Sequence, residues 1–213
     1  MEGVTIVLPN HREARCVDTY AALLGALNAR EDLRSVPILV AHDPFGRGVG
    51  WALREGLRDV TTPWVVFAMA DGSEDPACVA KMVAHCEAGM DAVWGDRWTP
   101  PGQVVGYPIV KRVLNRLGNY LIRWTQGGSY TDWTDLAKGY RVDRLRSLSW
   151  SNDFRCEIEI PICYLRQCPQ PARIVCVPMR WTERQEGRSS FKLRQVWRMA
   201  WTLVHVLWEG RAP

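Results

Sequence analysis

The stretch TTPWVVFAMADGSEDP, residues 61 to 76, most constrains what this chain can fold into. Its apolar part, Trp64 to Ala70, is too short to span a bilayer and rich enough in Val and Phe to predict a buried central strand. Three carboxylates and a proline follow at once, so the charge sits at the strand's carboxyl end, where open α/β sheets bind their ligands. Asp71, Glu74 and Asp75 offer oxygen ligands to a hard divalent cation such as Mg or Mn. The same residues also read as a capped turn, with Ser73 or Asp75 as N-cap and Pro76 opening a helix from Ala77 to Glu87. Both readings can hold together.

The rest of the chain supplies the sheet around that strand. VTIVLP, from Val4 to Pro9, predicts a first buried strand, and PILVAH, from Pro37 to His42, a second. Between them, Val17, Tyr20, Ala21, Leu24 and Leu27 recur at three- and four-residue spacing, predicting an amphipathic helix over Arg12 to Ala29. Strand, helix and strand in this order favour a right-handed crossover and a parallel sheet. FGRGVGWALREGL then places Gly46, Gly48 and Gly50 at a helix entry, as a phosphate cradle or a plain turn. Asp91 to Trp98 reads as another short strand, and TPPGQVVGYP as a loop unable to hold regular structure for long. Ile109 to Trp124 predicts a surface helix with Val113, Leu117, Tyr120 and Leu121 on one face and a solvated basic side. Asp132 and Asp135 stand near Lys138, Arg141 and Arg144, a spacing that fits a structural ion-pair cluster. Arg173 to Trp181 is a further β-rich run.

A length of 213 residues with 47% hydrophobic content suits one domain with a sizeable core. Seven scattered cysteines without a CxxC pair predict reduced thiols, neither a disulfide frame nor a zinc site. The net charge of +4 is modest, but from Arg180 onward seven basic residues face three acids, marking an anion- or membrane-facing surface. Phe191 to Trp208 reads as a helix mixing tryptophans with Lys192, Arg194 and Arg198, lying on a membrane interface or packing on the domain's own core. No segment reaches the roughly 18 to 20 apolar residues of a bilayer span, and no signal peptide is legible. The expected location is the cytoplasm, or the cytoplasmic face of the membrane as a peripheral protein.

Taken together, these stretches resemble family 2 glycosyltransferases of GT-A fold, in the branch of dolichyl-phosphate mannose synthase and bacterial polyprenyl-phosphate glycosyltransferases. LPNHRE (Leu8 to Glu13) looks like the family's VPxYNE, which implies Pro9 and Glu13 beside the nucleotide. GVGWALREG (Gly48 to Gly56) is similar to GxGxAxxxG, a helix entry beneath the donor, with Asp43 standing in for the acid that recognises the base. AMADGSEDP resembles the family's acidic motif in its ADGSDDP form, which implies Asp71 as a catalytic, donor- and metal-binding residue with Glu74 or Asp75 as further metal ligands. GDRW and KRVLN resemble GSRY and SRxxN, implying Arg97 and Arg112 at phosphates. DWTDLAKGYR is similar to DxTxxFKxYR, implying Asp132 as a catalytic residue near the acceptor and Lys138 at an anion, and FRCEIEIP to FxxxxELP, with Glu159 at the acid. RQEGRSSFKL looks like RxxGxSKFKL, implying Arg184, Ser189 and Lys192 in a loop over the site.

The resemblance implies a GT-A α/β domain over residues 1–190, with a mostly parallel central sheet shortened in its N-terminal half, and an amphipathic helix over 191–213. Only about five residues separate Asp43 from Gly48, where the family has a further helix and strand. The implied chemistry is inverting transfer of mannose or glucose from a nucleotide-diphosphate sugar to a polyprenyl phosphate, with Mg or Mn as cofactor. The implied partners are that donor, that acceptor, and a membrane surface or membrane subunit, with no nucleic acid. Two other readings stay open: a glycosyltransferase with a sugar or small-molecule acceptor, and a non-catalytic nucleotide-sugar-binding partner protein.

Overall fold

The computed structural model describes residues 3–87, 90–127, 130–168 and 172–183, together with Arg198, residues 200–202 and Val204. Strands β1 (Val4–Asn10), β2 (Ile38–His42), β3 (Trp64–Phe67), β4 (Ala92–Asp96), β6 (Lys138–Arg141) and β7 (Ile174–Pro178) form one sheet in the order β2-β1-β3-β6-β4-β7. All its pairings are parallel except those of β6, which runs antiparallel between β3 and β4. The short strands β5 (Gln103–Val105) and β8 (Arg180–Thr182) pair parallel in a second sheet. Helices α1 (Cys16–Asn28), α2 (Val49–Asp59), α3 (Pro76–Glu87), α4 (Ile109–Gln126), α5 (Val142–Leu145) and α6 (Cys156–Gln167) accompany the strands, with a short 3-10 helix at Glu31–Leu33.

The layers follow from the two-residue period of a strand, which sends successive side chains to opposite faces. Val65 and Phe67 of β3 enter one core with Leu53, Leu57, Ile160 and Tyr164 of α2 and α6. Trp64 and Val66 enter the other with Leu23, Leu27, Val79 and Val83 of α1 and α3. Both faces of β3 are therefore dry, as its unbroken apolar run predicts. Helix α2 lies close on the sheet at Gly56, where an added Cβ would stand 2.6 Å from Val7 Cγ1 and 2.9 Å from Ala41 Cβ.

Only two strands precede the glycine-led helix α2, so the N-terminal half of the sheet is shortened as the spacing from Asp43 to Gly48 predicts. Four expectations need correction. The central strand ends at Phe67, because Ala68 to Ala70 already belong to the turn region at the sheet edge. The segment after Trp98 contains β5, since Gln103 to Val105 gain a partner strand from residues 180–182 that local composition cannot reveal.

Helix α1 starts at Cys16 and buries Cys16, Thr19, Leu23 and Leu27, leaving Val17 78% exposed. Helix α4 departs further. Val113, Leu117, Tyr120 and Leu121 share one face, as the spacing predicts, but that face points to solvent. The inward strip is polar: Asn119 Oδ1 accepts the Trp133 amide at 2.6 Å, and Asn115 Nδ2 donates to Thr134 Oγ1 at 2.8 Å. Hydrogen bonds to the 131–134 loop, together with buried Ile122, hold the helix down and turn its apolar side outward. All seven cysteines are free thiols.

Candidate active site

In this topology β1, β2, β3, β4 and β7 all end at the same edge of the sheet, and β6 begins there. Asp43, Asp71, Arg97, Asp132, Asp135 and Lys138 are thereby brought to one side of the molecule, all buried. The crevice at strand carboxyl ends is the usual ligand position in such sheets.

Below β1 and β2, Pro9 pairs with Ala41, and the Glu13 amide donates to Asn10 Oδ1 at 3.0 Å in the turn before α1. Asp43 follows β2. Its Oδ2 accepts the Gly48 amide at 2.8 Å, while its buried Oδ1 has no hydrogen-bond partner. Burial would raise this carboxyl, but the amides of Gly48, Arg47 and Phe45 outweigh it and hold the pKa low. Asp43 is thus held as an ionised acid at this edge of the sheet.

Gly48 has a φ of +114°, and an added Cβ would stand 2.4 Å from the Asn152 carbonyl oxygen. The glycine there lets the chain turn into α2 against the 151–152 backbone, in keeping with the plain turn of the two sequence readings.

The acidic turn divides its three carboxylates. Asp71 Oδ1 accepts the Ser73 amide at 3.0 Å, and Asp75 Oδ1 accepts the Ala77 amide at 2.9 Å as a cap on α3. Glu74 turns inward, its Oε2 accepting the Met69 amide at 2.9 Å and its Oε1 buried without a partner. Burial first, and then the charge of Asp135, push Glu74 well above the usual carboxylate range. Asp135 rises for the same chief reason, and its Oδ2 is also buried without a partner.

Among the described residues no group of three His, Cys, Asp or Glu side chains stands close enough to hold a metal ion alone. A Mg-type site needs less, since that ion is usually held by one or two carboxylates together with substrate phosphates. Asp71 and the unpartnered Oε1 of Glu74 fit that smaller donor set; Asp75, engaged at the helix cap, does not join it.

Arg97 and Asp132 occupy each other. The guanidinium donates from Nε to Oδ2 at 2.7 Å and from Nη2 to Oδ1 at 2.8 Å, and the Arg97 amide adds a third bond to Oδ2 at 3.0 Å. Burial alone would raise Asp132, but Arg97's charge and bonds leave it below the ordinary carboxylate value. Both oxygens are taken, so the expectation of Asp132 as a catalytic residue is corrected: it positions Arg97. Lys138 lies beneath them, its Nζ bonded to the Asp135 carbonyl, and burial lowers its pKa. It supports the acidic cluster from inside and does not reach the open pocket.

That pocket, about 230 Å³ in volume, is lined by Arg97, Trp98, Gly102, Val104, Arg112 and Arg116. Three guanidinium groups and no carboxylate line it, a lining whose chemistry suits an anion such as phosphate. Trp98 is flanked by Arg97 at 5.7 Å and Arg116 at 5.3 Å from its ring centre. Lys111, beside Arg112, is instead paired with Glu183 at 2.7 Å.

Two site residues escape the sequence reading. Arg116 stands four positions after Arg112, and that helical spacing is the signal that finds it. Glu157 is pushed up to about 8, by burial first and then by Asp135. Pattern matching selects Glu159 in its place, yet Glu159 is fully buried and accepts the Ser151 amide at 2.6 Å and its hydroxyl at 2.8 Å, a structural clamp. Nothing in the sequence distinguishes the two acids. Arg184, Ser189 and Lys192, and most of the 191–213 segment, lie outside the described residues.

The fold is shared with glucosyl-3-phosphoglycerate synthase from Mycobacterium tuberculosis, solved with Mn and UDP-glucose, at a TM-score of 0.68 and 16% identity over 98% of this chain and 79% of that one. In sequence the chain is similar to the undecaprenyl-phosphate mannosyltransferase of Micrococcus luteus, 29% identical over 67% of this chain and 56% of that protein. The polyprenol monophosphomannose synthase of Mycolicibacterium smegmatis is also 29% identical, over 67% of this chain and 52% of its own length. The chain thus spans about half the length of these curated relatives. The profile of "Glycosyl transferase family 2" matches residues 21–149, from within α1 to beyond β6, and the chain belongs to that family.

Proposed function

We propose that this chain is a metal-dependent inverting hexosyltransferase that moves mannose or glucose from a nucleotide-diphosphate sugar to a polyprenyl phosphate. The observation that carries the reading is the pocket where Arg112 and Arg116 join the Asp132-paired Arg97, a basic lining suited to an anion on the same side of the sheet as Asp43 and Asp71. Its chemistry suits a phosphate acceptor, and the mannosyltransferase relatives are named for polyprenyl substrates.

In this reading Asp43 offers its unpartnered Oδ1 to the donor's base. Asp71 and Glu74 would hold a divalent cation, which would supply neutralisation of charge on the donor diphosphate. Arg112 and Arg116 bind the acceptor phosphate by charge-assisted hydrogen bonds, while Asp132 fixes the Arg97 guanidinium at the pocket wall. A phosphate oxygen is already anionic at neutral pH, so its attack on the anomeric carbon, which breaks the bond to the diphosphate oxygen and releases the nucleoside diphosphate, requires no carboxylate base. This agrees with an Asp132 whose two oxygens are already bonded. Glu157, pushed up to about 8 chiefly by burial, carries little charge near neutrality and so adds little repulsion toward the donor's phosphates.

A second reading, donor binding without turnover, is favoured by one observation: the acidic motif has Ala70 and Gly72 on either side of Asp71. Calorimetric titration of GDP-mannose and UDP-glucose, with Mn present or chelated, tests the donor site. Metal-dependent binding of one donor, abolished in Asp71→Ala, is the expected result. A folded protein that binds neither donor contradicts both readings.

A further inference from the structure

Helix α4 carries an apolar surface that the reaction does not use. Val110, Val113, Leu117, Tyr120, Leu121 and Trp124 are all exposed, from 42% at Leu121 to 76% at Trp124. At about 100° per residue they fall within an arc of roughly 100° along the helix. Exposed apolar residues scattered singly need no explanation, but a continuous stripe over an 18-residue helix marks an interaction surface. The stripe is bordered on one side by a row of Arg112, Arg116 and Arg123, and the helix IVKRVLNRLGNYLIRWTQ contains no acid. The opposite side of the helix is committed to the domain through Asn115, Asn119 and Ile122.

We infer that the outer face of α4 docks on an anionic lipid bilayer. An apolar arc with Tyr and Trp, flanked by arginines and free of acids, matches a helix lying in the headgroup plane. A second copy of the chain fits less well. Antiparallel two-fold pairing of the arcs would align one arginine row with the other, and charge repulsion would oppose it. The arrangement also has a functional consequence. Arg112 and Arg116 belong both to the border of the arc and to the anion pocket, so a lipid phosphate at the bilayer surface enters the pocket while its chain stays in the membrane. This deepens the proposed lipid-phosphate acceptor and rests on that reading for its purpose, but lipid binding itself is measured without donor or turnover.

The test is co-sedimentation of the full chain with phosphatidylcholine vesicles, with and without phosphatidylglycerol. The wild type is expected to bind, more strongly to the anionic vesicles. The variant Val113→Asp with Leu117→Asp should lose at least about tenfold in partitioning, since each charge must enter the apolar boundary. Arg123→Glu should weaken binding to the anionic vesicles alone. Val17→Asp, at an equally exposed position on α1, should leave binding unchanged. Circular dichroism confirms that each variant keeps its fold.

Wild-type binding that survives the paired aspartates overturns the assignment to α4, as does a wild type that binds neither vesicle. A dimer in sedimentation equilibrium that the paired aspartates convert to monomer also overturns it, by showing that the face joins two copies. Donor calorimetry separates the two claims. A chain that binds vesicles through α4 but no donor supports the surface and contradicts the transferase reading, whereas donor binding without vesicle binding does the reverse.

Discussion

Helix α2 turns Ala52, Leu53 and Leu57 toward the sheet, whereas α4 turns Val113, Leu117 and Leu121 to solvent and meets the domain through Asn115, Asn119 and Ile122. Both sequences are amphipathic, and periodicity alone predicts an inward apolar face for each. What separates them is the surface available. Strands β1 and β2 present Val7 and Ala41 to α2, and apolar burial decides its orientation. The 131–134 loop presents an amide and a hydroxyl to α4, and hydrogen bonding decides the other. Amphipathicity gives the existence of two faces, and the partner gives their direction.

Substitutions in the two regions should differ in what they cost. The largest effect is expected beneath α4, at the buried Arg97–Asp132 pair: Arg97→Ala leaves a buried carboxylate unpaired and should cost about 3–5 kcal/mol. Urea unfolding reads the loss, and Arg97→Met with Asp132→Leu should recover much of it. Within α2, Leu53→Ala removes a fully buried side chain from the larger core and should cost about 2–5 kcal/mol by the same measurement.

Loss of one pocket guanidinium should act on function instead. Arg112→Ala or Arg116→Ala should lower kcat/KM for a phosphate acceptor by about 1.5–3 kcal/mol in transition-state binding, with little change in unfolding midpoint.

The acidic cluster predicts a pH dependence with two opposite signs. Asp132 lies below its unfolded value, so its contribution is present above that value and is lost as pH falls through the folded pKa. Glu157 is raised from 4.5 to about 8, so the folded state holds a proton that the unfolded chain has released. Its contribution is complete below about pH 4.5 and fades as pH rises toward about 8, and Glu157→Gln should flatten the stability profile across that window. The smallest effect belongs to the outer face of α4. Leu117→Ala should shift stability by no more than about 0.5 kcal/mol in the absence of lipid, because its side chain is already in water.

Much of the fold is legible in local pattern. The dry strand β3, the strand pair around α1, and the shortened approach to Gly48 all follow from runs of apolar residues and the glycines and prolines between them. Other features are not local. Strand β6, KGYR, has no apolar run of its own and becomes a central strand only because β3 and β4 both pair with it. The site was legible as a set of charged positions at strand ends, and its internal pairing was not. Sequence proximity does not reveal that Arg97 spends its fork on Asp132, that Glu159 clamps Ser151, or that Glu157 is the acid facing Asp135. Arg116 differs from these, since helical spacing from Arg112 marks it in advance.

In the proposed reaction the arginine pocket receives a lipid phosphate as acceptor. The most direct test is transfer of labelled hexose by the full chain from GDP-mannose or UDP-glucose, with Mn, to undecaprenyl phosphate in detergent or to 3-phosphoglycerate. The expected product is a lipid-linked hexose, formed more slowly by Arg112→Ala and Arg116→Ala. Label appearing only on phosphoglycerate, or on neither acceptor by a chain that binds its donor, would contradict the account.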